Sequence, residues 1–351
     1  MGRVARSLAR QNKEYSIWID CGNSTVPFRI QIACPASPGS KSGNRVTALR
    51  WARILRESGC RVRVSAACAF DRADLLIALH ARRSARIVRA FRRQRGNRPL
   101  VLALTGTDLY RDLPGSASAR GSVALADRLV VLHGLAARRL PRSVRSRVRV
   151  IHQSVRPMAK TPVRRGATFD VCVIGHLRSV KDPFRAALAV RGLGADSAIR
   201  VLHIGEALDA RFAQRARAEQ CRNARYRWLG VRSRPETLRR LARSRLMVIS
   251  SRMEGGANVI GEAATLGVPI LASRIDGNVG LLGADHPGLF TPGGTDELRA
   301  LLVRAESDAA FISSLRRASR RIAPLFKPQR ERRAWRSLLS ELRQESVRVT
   351  D

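Results

Sequence analysis

The chain has 351 residues and is 44% hydrophobic, enough to bury two cores. No apolar run approaches the ~20 residues of a membrane-spanning helix, and residues 1–27 carry Arg3, Arg6, Arg10 and Lys13 without an uninterrupted apolar core, which argues against a secretory signal and for an N-terminal extension. A formal net charge of +39 suggests a polyanion partner, but only five residues are lysine, the arginines are spread over the whole chain and aromatic residues make up 5%, so a base-stacking platform is missing and nucleic acid is not expected as the main ligand.

Cysteines at 21, 34, 60, 68, 172 and 221 form no C-x-x-C pair, which points to neither a zinc site nor a disulfide framework and makes a reducing cytoplasm the default location. No membrane span is expected, and the chain is read as a soluble monomer or homodimer.

In chain order, FRIQIACPA predicts a strand, SPGSKSGN a glycine and serine loop, and RVTALRWARILRESG a helix with Val46, Leu49, Ile54 and Leu55 on its apolar side. CRVRVSAA, ADLLIALHA, RPLVLALTGTD, ADRLVVLH and RVRVIHQS predict further strands, with RSARIVRAFRRQ a basic amphipathic helix among them. Continuous apolar strands alternating with helices imply a parallel sheet covered on both faces. This gives a first doubly wound domain over residues 28–155, followed by a Pro-containing and basic linker over 156–168.

The alternation restarts with FDVCVIGH, SAIRVLHIG, YRWLGV, LMVISS and VPILAS as strands and ARFAQRARAEQ, PETLRRLARSR and NVIGEAATLG as helices, a second doubly wound domain over 169–322. TDELRALLVRAES and ERRAWRSLLSELRQE are helical, and the segment 323–351 is amphipathic enough to pack back on the first domain. Two such domains imply a cleft lined by the carboxyl ends of their strands, where ligands of open α/β sheets bind.

The segment MEGGANVIGEAATLGVPIL stands out in so basic a chain. A strand delivers it, MEGGAN turns, and a helix starts near Asn258 and stops at Gly267 before Pro269. The first free amides of that helix, over Ala257, Asn258 and Val259, suit a phosphate, and Gly255 and Gly256 carry no Cβ to hold a ligand off the backbone. One acid here would read as a partner of the helix dipole. Two acids, Glu254 and Glu262, flanking a Gly-Gly turn point instead to a hydroxyl-rich ligand such as a sugar nucleotide, with Glu262 accepting from the ribose and Glu254 from the sugar.

SRMEGGANVIGEAATLGVPILAS resembles the E-x7-E signature of the retaining GT-B glycosyltransferases of family 4, with Glu254 and Glu262 at the two acidic positions. VIGHLRSVKDP resembles the family's segment that supplies an Arg and a Lys to the diphosphate. It departs from the pattern in that His176 follows Gly175, so Lys181 matches while Arg178 stands two residues late. PGSKSGNRVTALRWARIL, LIALHARRSA, ALTGTDLYRD and the Arg-Met-Glu-Gly-Gly-Ala-Asn run together resemble the selenosugar synthases of the selenoneine pathway.

This resemblance implies a GT-B fold, a UDP-sugar as co-substrate, typically UDP-N-acetylglucosamine, and selenophosphate as acceptor. It implies Glu254, Lys181 and Arg178 as catalytic residues. The acceptor side would then be lined by Lys41, Asn44, Arg45, His80, Arg82, Arg83, Thr105, Asp108 and Arg111, a cation-rich set that suits a small dianion better than a neutral carbohydrate. His80 also fits as a strand-end cap and Asp108 as a turn residue. No D-x-D motif stands at a strand end, so no metal or other cofactor is expected. The alternatives are an ordinary family-4 glycosyltransferase with a carbohydrate, lipid or small-molecule acceptor, and a noncatalytic basic protein that binds RNA or another polyanion.

Overall fold

The computed structural model describes residues 28–40, 42–70, 72–158 and 168–348. Residues 1–27, most of the expected linker, and Lys41 lie outside them. The chain divides into two compact units, residues 1–152 with 329–351 and residues 153–328. The first boundary therefore falls at 152/153 rather than 155. The second falls at 328/329 rather than 322, because Phe326 packs into the second unit's core beside Ile260 and Ala263.

The first unit is built on a six-stranded parallel sheet. Its strands are β1 (Arg29–Ala33), β2 (Arg61–Val64), β3 (Leu75–Leu79), β4 (Leu100–Leu104), β5 (Arg128–Val131) and β6 (Val148–Val150), in spatial order β2-β1-β3-β4-β5-β6. β3 and β4 are buried along their whole length, which explains why LLIAL and LVLAL are unbroken apolar runs rather than alternating ones. Helices α1 (Gly43–Arg56), α2 (Ala85–Arg95) and α3 (Ala117–Leu125) connect the strands, and a helical turn over 108–115 follows β4.

α1 turns inward only half of the apolar set expected from its sequence, Ile54 and Leu55. Val46 and Leu49 are exposed, while Thr47, Ala48, Trp51, Ala52, Ile54 and Leu55 are buried together with Arg45 and Arg50. The indole of Trp51 decides this orientation, since it carries the largest apolar area on the helix and sets the face that must turn inward. It packs edge-on against Trp335, ring centroids 4.8 Å apart, and donates through Nε1 to the buried Glu331 at 2.9 Å. Both partners lie on the C-terminal helix, Pro328–Arg348.

The second unit repeats the plan with β7 (Phe169–Ile174), β8 (Ile199–Ile204), β9 (Tyr226–Trp228), β10 (Leu246–Ile249), β11 (Ile270–Ser273) and β12 (Leu289–Phe290), ordered β12-β11-β10-β7-β8-β9 and parallel throughout. Its helices are α4 (Arg185–Val190), α5 (Ala210–Arg222), α6 (Arg234–Arg243), α7 (Asn258–Thr265), α8 (Asp276–Leu282), α9 (Thr295–Ser307) and α10 (Ala309–Ile322). β12, α8 and α10 were not anticipated from the sequence, β12 because two residues carry no period.

In each sheet the strand order reverses beside the first strand, between β1 and β3 and between β7 and β10. Loops leaving the carboxyl ends of those strands are where an open parallel sheet binds ligands. Among the described residues no helix is long and apolar enough to cross a membrane.

Candidate functional site

In the second unit the loops after β7 and β10 are tied to each other. The Arg252 amide donates to the Val180 carbonyl at 2.9 Å, and Ser250 Oγ to the Asp182 carbonyl at 2.9 Å. Asp182 is left-handed, with φ of 43°, and its carboxylate accepts from Arg185 Nε at 2.9 Å, which fixes the end of the Lys181 loop. These bonds bring Lys181 to Glu254, 73 residues later in the chain: Lys181 Nζ donates to Glu254 Oε1. Ser251 Oγ donates to the same oxygen at 2.6 Å. Oε2 of Glu254 makes no hydrogen bond to the described residues, so one oxygen is anchored and the other is presented.

The turn behind Glu254 has no room to spare. Gly256 has φ of 151°, which L side chains rarely adopt, and a Cβ on Gly277 would lie 2.1 Å from the Glu254 carbonyl oxygen. Gly277 lies in the first turn of α8, whose buried Asn278 donates to the Ser273 carbonyl at 2.9 Å and to Ser273 Oγ at 3.1 Å. Ser273 Oγ in turn donates to the Ser251 carbonyl. The Glu254 turn is thus braced from β11 and α8.

α7 starts at Asn258, directly after this turn, and no side chain caps it; Ala257, Asn258 and Val259 line its start. Glu262 sits one turn inside and is buried, with Oε1 accepting from Arg234 Nη1 of α6 at 2.6 Å. Both acids of the motif therefore hold a cation of the protein. Arg234 and Ser251 were not anticipated: neither has a local pattern, and only the fold brings them to the acids. Arg178 is exposed and its side chain makes no hydrogen bond or ion pair to the described residues, and His176 is half-buried. The structure brings Lys181 to the acids and does not bring Arg178 to them.

The amino end of the Lys181 loop is fixed from below. His203 on β8 is buried, its Nε2 3.1 Å from the Gly175 carbonyl and its Nδ1 3.1 Å from Tyr226 Oη. The carbonyl can only accept, so Nε2 carries the proton and Nδ1 accepts from the phenol. Burial pushes the His203 pKa down to about 4, against a smaller raising effect of the Gly175 carbonyl, so the ring is neutral near pH 7. A Cβ on Gly205 would overlap the Gly175 carbonyl oxygen at 1.9 Å, which is why the strand end can pass so close.

The first unit gathers a different set. Asn44, at the start of α1, accepts from Thr105 Oγ1 after β4 at 2.7 Å, and Arg45 beside it is buried. Asp108 is wholly buried and accepts from the amides of Gly106 at 2.8 Å, Ala81 at 3.1 Å and Thr105 at 3.3 Å. It is a turn residue that joins the ends of β3 and β4, and its carboxylate is consumed in that task rather than offered to a ligand. His80, at the end of β3, is buried with φ of 73°. Its Nδ1 accepts from the Arg83 amide at 3.4 Å, and burial lowers its pKa, opposed by Asp108 and Asp112.

Asp112, one helical turn beyond Asp108, was not anticipated. Its side chain is 3% exposed, and Oδ1 accepts from Arg82 Nη1 at 3.3 Å and from Arg111 Nε at 3.1 Å; those arginines are 58% and 54% exposed. Among the described residues there is no group of three or more His, Cys, Asp or Glu side chains arranged to hold a metal ion.

Residues 159–322 match the family described as glycosyl transferases group 1. No curated protein sequence matches the chain. Among solved structures the fold is similar to Anabaena HepE in complex with UDP and glucose, with a TM-score of 0.70 and 17% identity over 90% of this chain and 100% of that one. It is also similar to sucrose-phosphate synthase from Thermosynechococcus elongatus, with a TM-score of 0.72 and 16% identity over 90% and 99%. A glycosyltransferase from Rickettsia africae follows, with a TM-score of 0.68 and 13% identity over 90% and 98%. The fold is similar to that of these GT-B glycosyltransferases, and the stretch that matches the group 1 glycosyl transferase family lies within the second unit.

Proposed function

We propose that the protein is a UDP-sugar-dependent glycosyltransferase that transfers the sugar to selenophosphate, with UDP-N-acetylglucosamine as the donor. The observation that carries the transferase reading is the pair of acid–cation contacts around the start of α7, Lys181–Glu254 and Arg234–Glu262, at the carboxyl end of a parallel sheet. HepE, of the same fold, is described with UDP, with UDP and glucose, and with UDP-glucose. In this reading Glu262 accepts from the ribose hydroxyls and the free Oε2 of Glu254 from the sugar. The α7 amides and Lys181 take the diphosphate.

The reaction forms a bond between selenium and the anomeric carbon and breaks the bond from that carbon to the β-phosphate oxygen, whose electron pair leaves with UDP. Selenophosphate is already ionised, so no general base is required, and the protein contributes positioning and stabilisation of the leaving charge. No metal or other cofactor is assigned a role. The acceptor side rests on Asn44, Arg45, His80, Arg82, Thr105 and Arg111 in the first unit, where cations outnumber acids; Lys41 belongs to the same proposal but lies outside the described residues.

Purified protein is expected to release UDP from UDP-N-acetylglucosamine only when selenophosphate is present. Equal release with a neutral carbohydrate acceptor and none with selenophosphate would leave a transferase of ordinary acceptor specificity.

A further inference from the structure

The turn after β4 places two acids four residues apart, and they are used differently. Asp108 spends its carboxylate on three backbone amides and thereby fixes the chain at residues 81, 105 and 106. Asp112 is as deeply placed but bonds no backbone. It faces side chains only: Arg82, Arg111 and, at 3.6 Å from Oδ2, the Nε2 of His80. His80 is kept neutral by burial and adds no charge.

One carboxylate therefore serves two guanidinium groups, and the cluster keeps a surplus of one positive charge. Among the described residues no other acid pairs with either arginine. Arg82 uses one terminal nitrogen on Asp112 and Arg111 uses its Nε, so each keeps further N–H donors directed elsewhere, on side chains more than half exposed. Two mobile arginines would repel each other and lose side-chain entropy on closing around an anion; a shared buried anchor removes both costs in advance.

We propose that Asp112 is a positioning residue that sets Arg82 and Arg111 as a fixed two-guanidinium seat for a small tetrahedral phosphoryl anion. Planar guanidinium forks match the oxygens of such an anion, which a point charge does not. The inference rests on the acceptor reading given under Proposed function and specifies the residues that hold the phosphoryl end of that acceptor.

Calorimetric titration of the full chain with inorganic thiophosphate tests it, using wild type, D112N, R82Q and R111Q. Binding weakened about tenfold in each variant is expected, with UDP affinity and the thermal midpoint unchanged. In steady state D112N is expected to raise the KM for selenophosphate by the same factor while kcat and the UDP-sugar KM hold. Thiophosphate binding that D112N leaves unchanged or tightens overturns the positioning role. A wild type that binds no thiophosphate overturns the seat itself. R111Q, a change on an exposed side chain, keeps the test decisive if D112N folds poorly. Asp112-dependent thiophosphate binding without selenophosphate-dependent UDP release would sink the selenium reaction and leave the seat standing.

Discussion

The two units carry their functional acids in opposite balance. In the second unit each acid of the motif has its own cation, Lys181 on Glu254 and Arg234 on Glu262, so the two pairs are neutral. In the first, Asp112 alone holds Arg82 and Arg111, and the site stays positive. A neutral, hydrogen-bonding site suits hydroxyl groups, and a surplus of guanidinium suits an anion. The lesson is that the formal charge of +39 says little about either site: what matters is how many cations share one buried carboxylate.

The largest effects are expected in the second unit. Lys181→Ala removes the cation on Glu254 and the charge proposed to face the leaving diphosphate, and kcat is expected to fall on the order of a hundredfold, read in a UDP-release assay. Glu262→Gln takes away the negative charge of the acceptor proposed for the ribose and leaves the Arg234 guanidinium without its carboxylate. UDP affinity is expected to weaken by about 1.5–3 kcal/mol in calorimetry, and unchanged affinity would contradict the ribose role.

Acid is expected to weigh most on the second unit, although burial also lowers the pKa of His80 and His152 in the first. His203 and His286, both in the second unit, have pKa values pushed down to about 4 by burial. Each takes up its proton more readily when unfolded, so stability is present above pH ~6.5 and is lost as pH falls from there to about 4, by about 3 kcal/mol per histidine. Unfolding followed at pH 7 and pH 4.5 should show that loss, and a His203→Phe variant should lose less between the two values.

Gly277→Ala is expected to cost about 1–3 kcal/mol, because the new Cβ meets the Glu254 carbonyl at 2.1 Å, and to weaken donor binding with it. The smallest effect belongs to Ser251→Ala, which frees Oε1 of Glu254 from one of its two donors; about 1 kcal/mol, or a fivefold fall in kcat/KM, is expected with the thermal midpoint little changed.

The sheets were legible because their strands are buried on both faces, and LLIAL, LVLAL and LMVI announce this without context. The start of α7 was legible as well, from a strand, a glycine turn and a proline beyond the stop. α1 was misread at Val46 and Leu49 because a period places residues on a face without saying which face turns inward, and Trp51 with its partner Trp335 made that choice across 284 residues of chain. Asp108 and Asp112 have the same local appearance, and their different work shows only in what surrounds them.

By itself, then, the sequence determined the alternation of buried strands and helices, the two sheets, the positions of Glu254 and Lys181 beyond strand ends and that of Glu262 in the helix that follows, since burial period and turn chemistry are local properties. Tertiary structure alone decided the partners: Lys181 and Ser251 on one oxygen of Glu254, Arg234 on Glu262, His203 on the Gly175 carbonyl, and Asp112 between Arg82 and Arg111. The physical reason is that a buried charge must be matched in space, and the partners of these side chains lie from one to 73 positions away along the chain.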